Sequence, residues 1–405
     1  MRILYLTQYF PPEIGATQTR AVEMASNLVK RGHLVTVLTE FPNHPKGIIP
    51  PEYKNKFVEY ELLNGIHVYR SWVYARPHKN FYTRMGFYLS YMITAAVAGS
   101  FLRVPYDVVY ATSPPFFVGV SGLWLSRLKN TKFVFEVRDL WPESAVELGE
   151  LSNPRFIQYA EKLENYYYKK ADAIVAVTSG IKEKLTARGY GNKVNMVLNG
   201  SNTDLFYSQG SAIKTQLDLE NKFIVLYAGI IGIAQGMEQL CDVANKMKSN
   251  KEVQFVFIGE GPVKSTVNKI KQEKSLNNLT LLDEVPREKI PAYISTADCC
   301  LVPLKKNKLF LGALPSKMFD YMACERPVIL SVDGEARTVL EDAKAGLFVE
   351  PENTEQIIQA IQYLRDNPRL CQQMGKAGRY YVEQHYSRRQ KALELEQILT
   401  EIIYK

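Results

Sequence analysis

The 405-residue sequence has few of the residues that build metal centres and disulfide frameworks. It contains five cysteines and five histidines, with no Cys-x-x-Cys pair and no Asp-x-Asp pair. The cysteines are odd in number, and their spacing to histidine matches no metal-ligand pattern. These absences exclude a disulfide-stabilised secreted scaffold and favour a reducing, cytoplasmic setting.

Long hydrophobic segments and targeting segments are also scarce. The apolar start of the chain is interrupted by Gln8, Pro11 and Pro12 before it reaches the length of a signal-peptide core. One uncharged run, residues 85–102, spans 18 residues, and a transmembrane helix needs about 17 to 25 mostly apolar residues. Serine, threonine and glycine residues lower the hydrophobicity of this run. The sequence therefore predicts a buried or surface helix here, with an interfacial helix on an anionic membrane leaflet as the alternative, and argues against a spanning segment.

The remaining composition is that of an average globular protein. Hydrophobic residues make up 46% and charged residues 23% of the chain, which excludes disordered, collagen-like and coiled-coil classes. Because single cores stop growing near about 250 to 300 residues, we expect two domains. The net charge is +8, and residues 1–205 hold 24 Lys/Arg against 17 Asp/Glu. This mild excess, without a recognition motif, indicates a solvated or membrane-facing surface and not a nucleic-acid partner.

Apolar, β-rich runs alternate with helical patterns along the whole chain. Residues 3–7, 17–31 and 34–39 predict a βαβ unit, and the rhythm restarts near residue 223 after a polar stretch around residue 207. The continuous apolar character of the strands is typical of parallel sheets covered on both faces. We predict an α/β fold of two Rossmann-like, doubly wound domains, residues 1–206 and 207–385, facing each other across a cleft. Residues 386–405 form a C-terminal helix that packs back toward the first domain.

The loop after the first strand is one candidate ligand loop, because ligands of open α/β sheets bind at the carboxyl ends of the strands. Gly15 stands just before a helix start, where backbone amides can face an anion. Only one glycine is present, so the dinucleotide fingerprint is missing. An ordinary strand-to-helix turn remains the alternative.

A second candidate loop follows the strand at residues 132–137 and is dense in charge. It contains Glu136, Arg138, Asp139 and Glu143. Burying such groups without partners is costly, so the pattern favours a binding role over a structural ion pair between Arg138 and a Glu or Asp. Asp139 can receive a proton or hold an acceptor hydroxyl, since a carboxylate only accepts hydrogen bonds.

Two further loops lie in the second half. The first, Gly229 to Gly236, resembles a phosphate-binding turn but matches no established fingerprint. The second runs from Gly312 into a short helix that begins near Pro315. Lys317 and the helix amides offer positive potential to a phosphate, and Asp320 lies three residues further on, on roughly the same face. A capped surface helix is the alternative.

These segments, in this order, resemble the retaining, nucleotide-sugar-dependent glycosyltransferases of family 4, which have the GT-B fold. The resemblance covers essentially the whole length: PPEIGA, GHLVTVLT, FEVRDLWPES, AVTSGIKEKL, VLNGSNTDLF, YAGIIGIAQGM, FIGEGP, ADCCLVPL and PSKMFDYMA followed by RPVI. PPExGA, RDLWPES and the PSK-containing segment are similar to those of bacterial enzymes that build surface polysaccharides.

The resemblance implies that the second domain binds the nucleotide sugar and the first domain binds the acceptor. It implies Asp320 on the ribose, Gly229, Gly232 and Gln235 near the diphosphate, and Gly15 approaching the phosphates from the first domain. The loop that contains Gly312, Leu314 and Ser316 would contact the donor sugar and phosphate. On the acceptor side we place Glu13, His44, Arg138 and Asp139, and as catalytic residues Lys317, Asp139 and Arg138.

Three positions depart from the family pattern. The common Glu-x7-Glu pair is Gly312 and Asp320 here, so the first acidic contact is missing. The usual Arg and Lys near the phosphates are replaced around Ile230 and Gln235, which makes Lys317 the candidate for charge compensation. A histidine often found after the fourth strand is Arg138.

The expected reaction is the transfer of a hexosyl unit, with retention, from UDP-glucose or UDP-N-acetylhexosamine to a saccharide or lipid-linked saccharide, in polysaccharide biosynthesis. No cofactor and no metal are expected, and the location is cytoplasmic, with peripheral attachment to the inner membrane face left open. Two alternatives remain: a UDP-sugar 2-epimerase of the same fold, which would need clustered carboxylates and histidines, and a non-catalytic sugar-nucleotide sensor or scaffold.

Overall fold

The computed structural model of the chain divides into two compact units. It describes residues 1–13, 15–44, 46–77, 80–147, 149, 151–210 and 213–404, without the side chain of residue 309. Ile14, in the loop that precedes Gly15, therefore lies outside the described residues. The first unit comprises residues 1–199 and 388–405, and the second comprises residues 200–387.

The strands alternate with helices along the chain. The strands are β1 (Arg2–Leu6), β2 (Leu34–Glu40), β3 (Val58–Leu63), β4 (Ile66–Ser71), β5 (Val108–Ser113), β6 (Lys132–Val137), β7 (Ala173–Ala176), β8 (Val194–Met196), β9 (Phe223–Ala228), β10 (Val253–Ile258), β11 (Leu279–Leu282), β12 (Cys299–Pro303), β13 (Val328–Ser331) and β14 (Gly346–Phe348).

The helices cover the faces of the sheets. They are α1 (Ala16–Lys30), α2 (Phe81–Phe101), α3 (Val118–Leu128), α4 (Glu143–Glu147), α5 (Pro154–Lys170), α6 (Ser179–Leu185), α7 (Ile213–Gln216), α8 (Met237–Lys246), α9 (Lys264–Glu273), α10 (Ile290–Thr296), α11 (Ser316–Ala323), α12 (Glu335–Ala343), α13 (Thr354–Asp366), α14 (Pro368–His385) and α15 (Arg388–Tyr404).

The first unit is built on a sheet with the strand order β3-β4-β2-β1-β5-β6-β7-β8. All neighbouring strands are parallel except β3 and β4. Residues of β1, β5 and β6 are almost fully buried, as the continuous apolar runs predict for strands covered on both faces. The sheet therefore places the loops after β1, β5 and β6 at one edge.

The antiparallel pair β3 and β4 is absent from the sequence prediction. Both strands alternate polar and apolar residues, because one face of this sheet edge reaches solvent. Asn64 and Gly65, both with positive φ, form the turn between them. An Asn-Gly turn between alternating runs is a hairpin signal, so the sequence did contain the information.

Helix α2 contains the uncharged run. It starts at an Asn80 capping box, in which the Asn80 side chain accepts from the Thr83 amide and the Thr83 hydroxyl accepts from the Asn80 amide. One face, with Phe87 and Tyr91, is buried in the core. The opposite face exposes the apolar side chains of Ile93, Val97 and Phe101. No helix within the described part of the chain has the length and hydropathy of a membrane span.

The second unit is built on a parallel sheet with the order β11-β10-β9-β12-β13-β14. Residues 200–206, which the sequence assigned to the first domain, belong to the second unit. Ser201 forms a β-bridge with Ser387, and the Ser201 amide donates to the Tyr386 carbonyl. The division therefore lies at Gly200, seven residues before the boundary expected at residue 207. The sequence placed it at the polar stretch, but these hydrogen bonds act earlier in the chain.

The last helix, α15, returns to the first unit. It packs against α1, where its apolar side chains Ala392, Leu395 and Leu399 are fully buried. Glu396 accepts hydrogen bonds from Arg31 and from the ring of His33. The chain thus crosses from the second unit back to the first between Ser387 and Arg388.

Candidate active site

Lys317 lies at the start of α11 with its ammonium group over the ring of Tyr227. The distance from Nζ to the ring centre is 3.8 Å, which is the geometry of a cation–π contact. Lys317 has no carboxylate partner among the residues that the structure describes, and burial lowers the pKa of its ammonium to about 7. The lysine is therefore a poorly solvated cation whose charged form a phosphate would stabilise.

Glycine at position 229 makes room for this lysine. Gly229 directly follows β9 and has a φ of +141°, and a Cβ there would stand 2.9 Å from Lys317 Nζ. The neighbouring loop also depends on glycine, because a Cβ at Gly259 would stand 2.0 Å from the Gly229 carbonyl oxygen. The ends of β9 and β10 thus pack backbone against backbone beside Lys317.

The rest of this turn leads into α8. Gly232 precedes a single 3-10 turn that ends at Gln235, and Gly236 has the left-handed backbone that joins it to α8. The Gln235 side chain folds back over Gly232, since a Cβ at Gly232 would stand 2.5 Å from Gln235 Oε1. Lys305 also approaches this turn, with its amide donating to the Ala234 carbonyl at 2.8 Å.

Asp320 lies one turn after Lys317 in α11 but contacts a different partner. Its Oδ1 accepts a hydrogen bond from the Ser201 hydroxyl at 2.6 Å. The next residue, Tyr321, binds α11 to the end of β9, because its hydroxyl accepts from the Ala228 amide and donates to the Ala228 carbonyl. These two bonds fix where α11 starts relative to the glycine turn.

The loop before α11 supplies open backbone next to the helix start. Gly312 ends a 3-10 turn, and a Cβ there would meet nothing within 4 Å. Leu314 is buried, Pro315 precedes the helix, and Ser316 is its first residue. No side chain of the described residues caps this helix start, and its first turn contains no acidic residue. Its amides can therefore face an anion.

In the first unit, Glu136 lies at the end of β6 and is paired with Arg20 of α1. The Arg20 Nη2 to Glu136 Oε2 distance is 2.7 Å, and both side chains are fully buried. Tyr110 and Thr112 donate their hydroxyl hydrogens to the same carboxylate. Burial opposes ionisation, but the charge and hydrogen bonds of Arg20 lower the pKa of Glu136 to about 2.

Arg20 also ties α1 to the far edge of the sheet. Its remaining N–H groups donate to the carbonyls of Val197 and Leu198 and to the side chain of Asn199. The pair therefore holds α1, β6 and the end of the sheet together. Arg20 and Glu136 are 116 positions apart, so no local pattern indicated their contact.

Arg138, two residues beyond Glu136, has no such partner. It forms no ion pair or hydrogen bond with any residue that the structure describes, and its Nε is buried. Burial lowers the pKa of the guanidinium to about 10. The structure therefore shows no ion pair between Arg138 and a Glu or Asp of the described residues, and the neighbouring Glu136 is paired with Arg20.

Asp139 is exposed and borders an aromatic pocket. Its Oδ2 accepts from the Ser144 hydroxyl at 2.8 Å. The pocket encloses about 160 Å³ at the carboxyl ends of β5 and β6. In its wall the ring centres of Trp141 and Phe116 lie 4.4 Å apart, with the rings tilted by 31°. Its other aromatic side chains are Phe81, Tyr88 and Phe117.

The remaining predicted residues of the first unit lie at the ends of β1 and β2. Glu13 is buried and its Oε1 accepts from the backbone amides of Asn43 and His44, at 2.7 and 2.8 Å. His44 itself is exposed. Gly15 directly precedes α1, and a Cβ there would stand 2.5 Å from Gln18 Oε1. Glu13 thus positions the loop that carries His44.

The structure brings the predicted residues together in separate groups. In the second unit, Gly229, Lys317 and the start of α11 adjoin one another. In the first, Arg138 and Asp139 leave β6 next to the aromatic pocket. Sequence reasoning assigned no role to Tyr227, Ser201 or Gly259, although each lies in a quoted segment. The described residues contain no group of three or more His, Cys, Asp or Glu side chains placed to hold a metal ion.

Comparison with known protein families matches each half of the chain to a glycosyltransferase domain. Residues 15–200 match the glycosyl transferase 4-like domain, and residues 210–381 match the glycosyl transferases group 1 domain. WcaI of Escherichia coli strain K12, a glycosyl transferase assigned to colanic acid biosynthesis, is 24% identical over 89% of this chain and 91% of its own length.

Solved structures show the same fold. Sucrose-phosphate synthase from Thermosynechococcus elongatus has a TM-score of 0.75 at 19% identity, covering 100% of this chain and 99% of that chain. Anabaena HepE in complex with UDP-glucose has a TM-score of 0.71 at 14% identity, covering 99% and 100%. The chain is therefore a glycosyltransferase of the GT-B type, with a glycosyl transferase 4-like domain followed by a group 1 domain.

Proposed function

We propose that this glycosyltransferase moves a hexosyl unit from a UDP-sugar to a hydroxyl of a saccharide or lipid-linked saccharide, with retention, in polysaccharide biosynthesis. The observation that carries the donor assignment is Lys317, a cation without a carboxylate partner among the described residues, beside the glycine turn and an uncapped helix start. The UDP-glucose complex of HepE, a protein of the same fold, supports UDP as the nucleotide.

The chemistry of the leaving group follows from these charges. The bond between the anomeric carbon and the donor phosphate oxygen breaks, and a bond to the acceptor oxygen forms on the same face. The acceptor proton passes to the released phosphate oxygen. Lys317 and the amides of Ser316 and Lys317 stabilise the growing negative charge by preorganised electrostatics, and Asp320 accepts from the ribose hydroxyls.

The acceptor is assigned to the first unit. The aromatic pocket offers apolar ring faces, and Asp139 at its border offers a carboxylate to a hydroxyl. This combination suits a sugar, which has apolar C–H faces and polar edges. Glu13 and His44 are assigned to the same side through the loop that Glu13 holds.

We further propose that no metal ion or cofactor takes part, since lysine and helix amides can neutralise the diphosphate. The test is turnover in the presence of a chelator, measured as released UDP. Unchanged rates in excess EDTA support the proposal, and activity lost to EDTA and restored by Mg²⁺ contradicts it.

For the location, we propose a cytoplasmic protein that makes peripheral contact with the anionic inner face of the membrane. The exposed face of α2 carries Ile93, Val97 and Phe101, and Trp124 of α3 joins it by donating Nε1–H to the Ser100 hydroxyl. Arg103, two residues after Phe101, and Arg127, three residues after Trp124, are exposed as well, and basic residues near exposed apolar ones are typical of interfacial surfaces. Flotation with anionic and zwitterionic vesicles tests it: salt-sensitive binding to anionic vesicles alone supports the proposal. Phe101→Ser should reduce binding and the control Tyr380→Ser should not.

The decisive experiment for the reaction is a panel of nucleotide sugars with and without saccharide acceptors. UDP released only when acceptor is added, with an α-linked product from an α-linked donor, supports retaining transfer. Binding of UDP-sugars without turnover would favour a sensor, and change of the sugar at C2 without acceptor would favour an epimerase.

A further inference from the structure

A buried charge cluster in the first unit holds more positive than negative charge. Arg20 is paired with Glu136, and Arg388 is paired with Glu23 at 2.9 Å. Arg138 feels the charges of Arg20, Glu136 and Arg388, yet it has no ion pair with any described side chain. Both of these carboxylates are paired with another arginine, so no carboxylate of the described residues compensates the charge of Arg138.

The guanidinium of Arg138 is presented in a specific way. Its Nε is buried and has no hydrogen-bond partner. Its two terminal nitrogens make no hydrogen bond to the described residues and are not among the buried atoms, so solvent reaches them. A planar fork with one accessible edge matches the two oxygens of a carboxylate or phosphate group.

A second donor without a partner lies in the same cluster. The Tyr5 hydroxyl is buried and has no hydrogen-bond partner, while its neighbour Tyr110 donates to Glu136. Burial raises the pKa of Tyr5, and the charges of Glu136 and of Arg138 both act on it. Tyr5 is therefore a neutral O–H group that can donate to an anion directly or through a water.

We propose that Arg138 binds a fixed anionic group, a carboxylate or phosphate, on one of the two sugar substrates, and so makes this enzyme selective for an acidic or phosphorylated sugar. This rests on the proposed transferase function and names the class of substrate. Leaving a guanidinium partly buried without a counter-ion is costly. A ligand that brings its own negative charge recovers that cost, and a neutral sugar does not.

The anionic group has two possible sources, the donor sugar or the acceptor. The donor diphosphate is a third anion, but the proposed function assigns it to Lys317. Thermal-shift and calorimetric measurements of binding to the full chain distinguish the donor sugar from the acceptor as the source of the anionic group. The acceptor probes are glucose, glucuronate and glucose 6-phosphate, and the donor probes are UDP, UDP-glucose and UDP-glucuronate.

The matched variants are Arg138→Gln, which removes the charge, Arg138→Lys, which keeps the charge but loses the fork, and Arg155→Gln, a control at an exposed arginine of the same unit. We expect the wild type to bind the charged member of one probe set more tightly than its neutral counterpart. Arg138→Gln should weaken that binding at least about tenfold and leave the neutral counterpart within twofold. The affinity of Arg138→Lys for the charged probe should lie between those of the wild type and Arg138→Gln.

The probe set in which the charged member binds more tightly identifies the substrate that carries the anionic group. A preference for glucuronate or glucose 6-phosphate over glucose places the anion on the acceptor, and a preference for UDP-glucuronate over UDP-glucose places it on the donor sugar. Equal binding of charged and neutral sugars by the wild type would overturn the inference. So would an equal loss of affinity for UDP itself in Arg138→Gln.

Failure of the proposed function would look different. A wild type that binds no UDP at all refutes the donor assignment, whereas normal UDP binding without a preference for charged sugars refutes only the role of Arg138. Circular dichroism of each variant confirms folding, and Arg138→Lys keeps the experiment informative if the neutral variant is unstable.

Discussion

The ammonium of Lys317 lies 3.8 Å from the centre of the Tyr227 ring, where β9 ends and α11 begins. The ring shields one side of the cation from water and attracts it electrostatically, but offers no full negative charge. Such a lysine is prepared for an anionic ligand.

Replacing Lys317 with methionine should weaken UDP binding about 10- to 100-fold at pH 7, because a charge-assisted hydrogen bond contributes about 1.5 to 3 kcal/mol. Calorimetry with UDP measures it. Lys376→Met, at an exposed lysine of α14, is the matched control. An affinity for UDP unchanged in Lys317→Met would remove this residue from the phosphate site.

The affinity for UDP should fall as the pH rises above about 7. The pKa of Lys317 is lowered to about 7 in the free protein by burial, and a bound diphosphate raises it again, so binding takes up a proton in the range above 7. Titrations between pH 7 and 9 should show this fall in the wild type. The same titrations of Lys317→Met should be flat over this range, and a parallel slope in both proteins would contradict the assignment.

Substitutions at Asp320 and at Ser201 should distinguish a contact with the ligand from a structural contact. If Asp320 binds the ribose, Asp320→Ala should lower UDP affinity at least about tenfold. Ser201→Ala removes only the hydroxyl that donates to Asp320. It should leave UDP affinity within about twofold and cost about 0.5 to 1.5 kcal/mol of unfolding free energy. An Asp320→Ala variant that loses stability but keeps UDP affinity would show that Asp320 serves only the contact with Ser201.

Glu136→Gln should destabilise the fold by about 3 to 5 kcal/mol, because it leaves the buried Arg20 without its counter-charge. Chemical denaturation measures this. The control Glu143→Gln breaks half-exposed ion pairs with Lys184 and Arg188 and should cost about 1 kcal/mol or less.

The same glutamate predicts a pH dependence of stability. The pKa of Glu136 is lowered in the folded state to about 2, so its stabilising contribution is present above the unfolded value near about 4.3 and is lost as the pH falls toward 2. The wild type should lose stability over that range more steeply than Glu136→Gln. Identical acid unfolding profiles would contradict this electrostatic role.

The sequence predicted β1, β2 and β6 correctly, to within one residue at each end. These strands consist mostly of apolar residues, as burial on both faces requires. The hairpin of β3 and β4 was missed because its alternating pattern did not fit the parallel model. For the candidate site, Lys317 and the glycine loops could be proposed from their place after strands, but their contacts could not be predicted from the sequence.

The alternation of strands and helices, the two α/β units and the positions of the candidate ligand loops were determined by the sequence itself. Periodicity and turn residues are local properties, and a single chain displays them directly. Only the tertiary structure decided that Arg20 pairs with Glu136 and leaves Arg138 without a carboxylate partner in the described part of the chain, that Ser201 contacts Asp320, and that Lys317 lies over Tyr227. These pairs join residues far apart along the chain, and which charge neutralises which depends on distances of a few ångströms that no local pattern encodes.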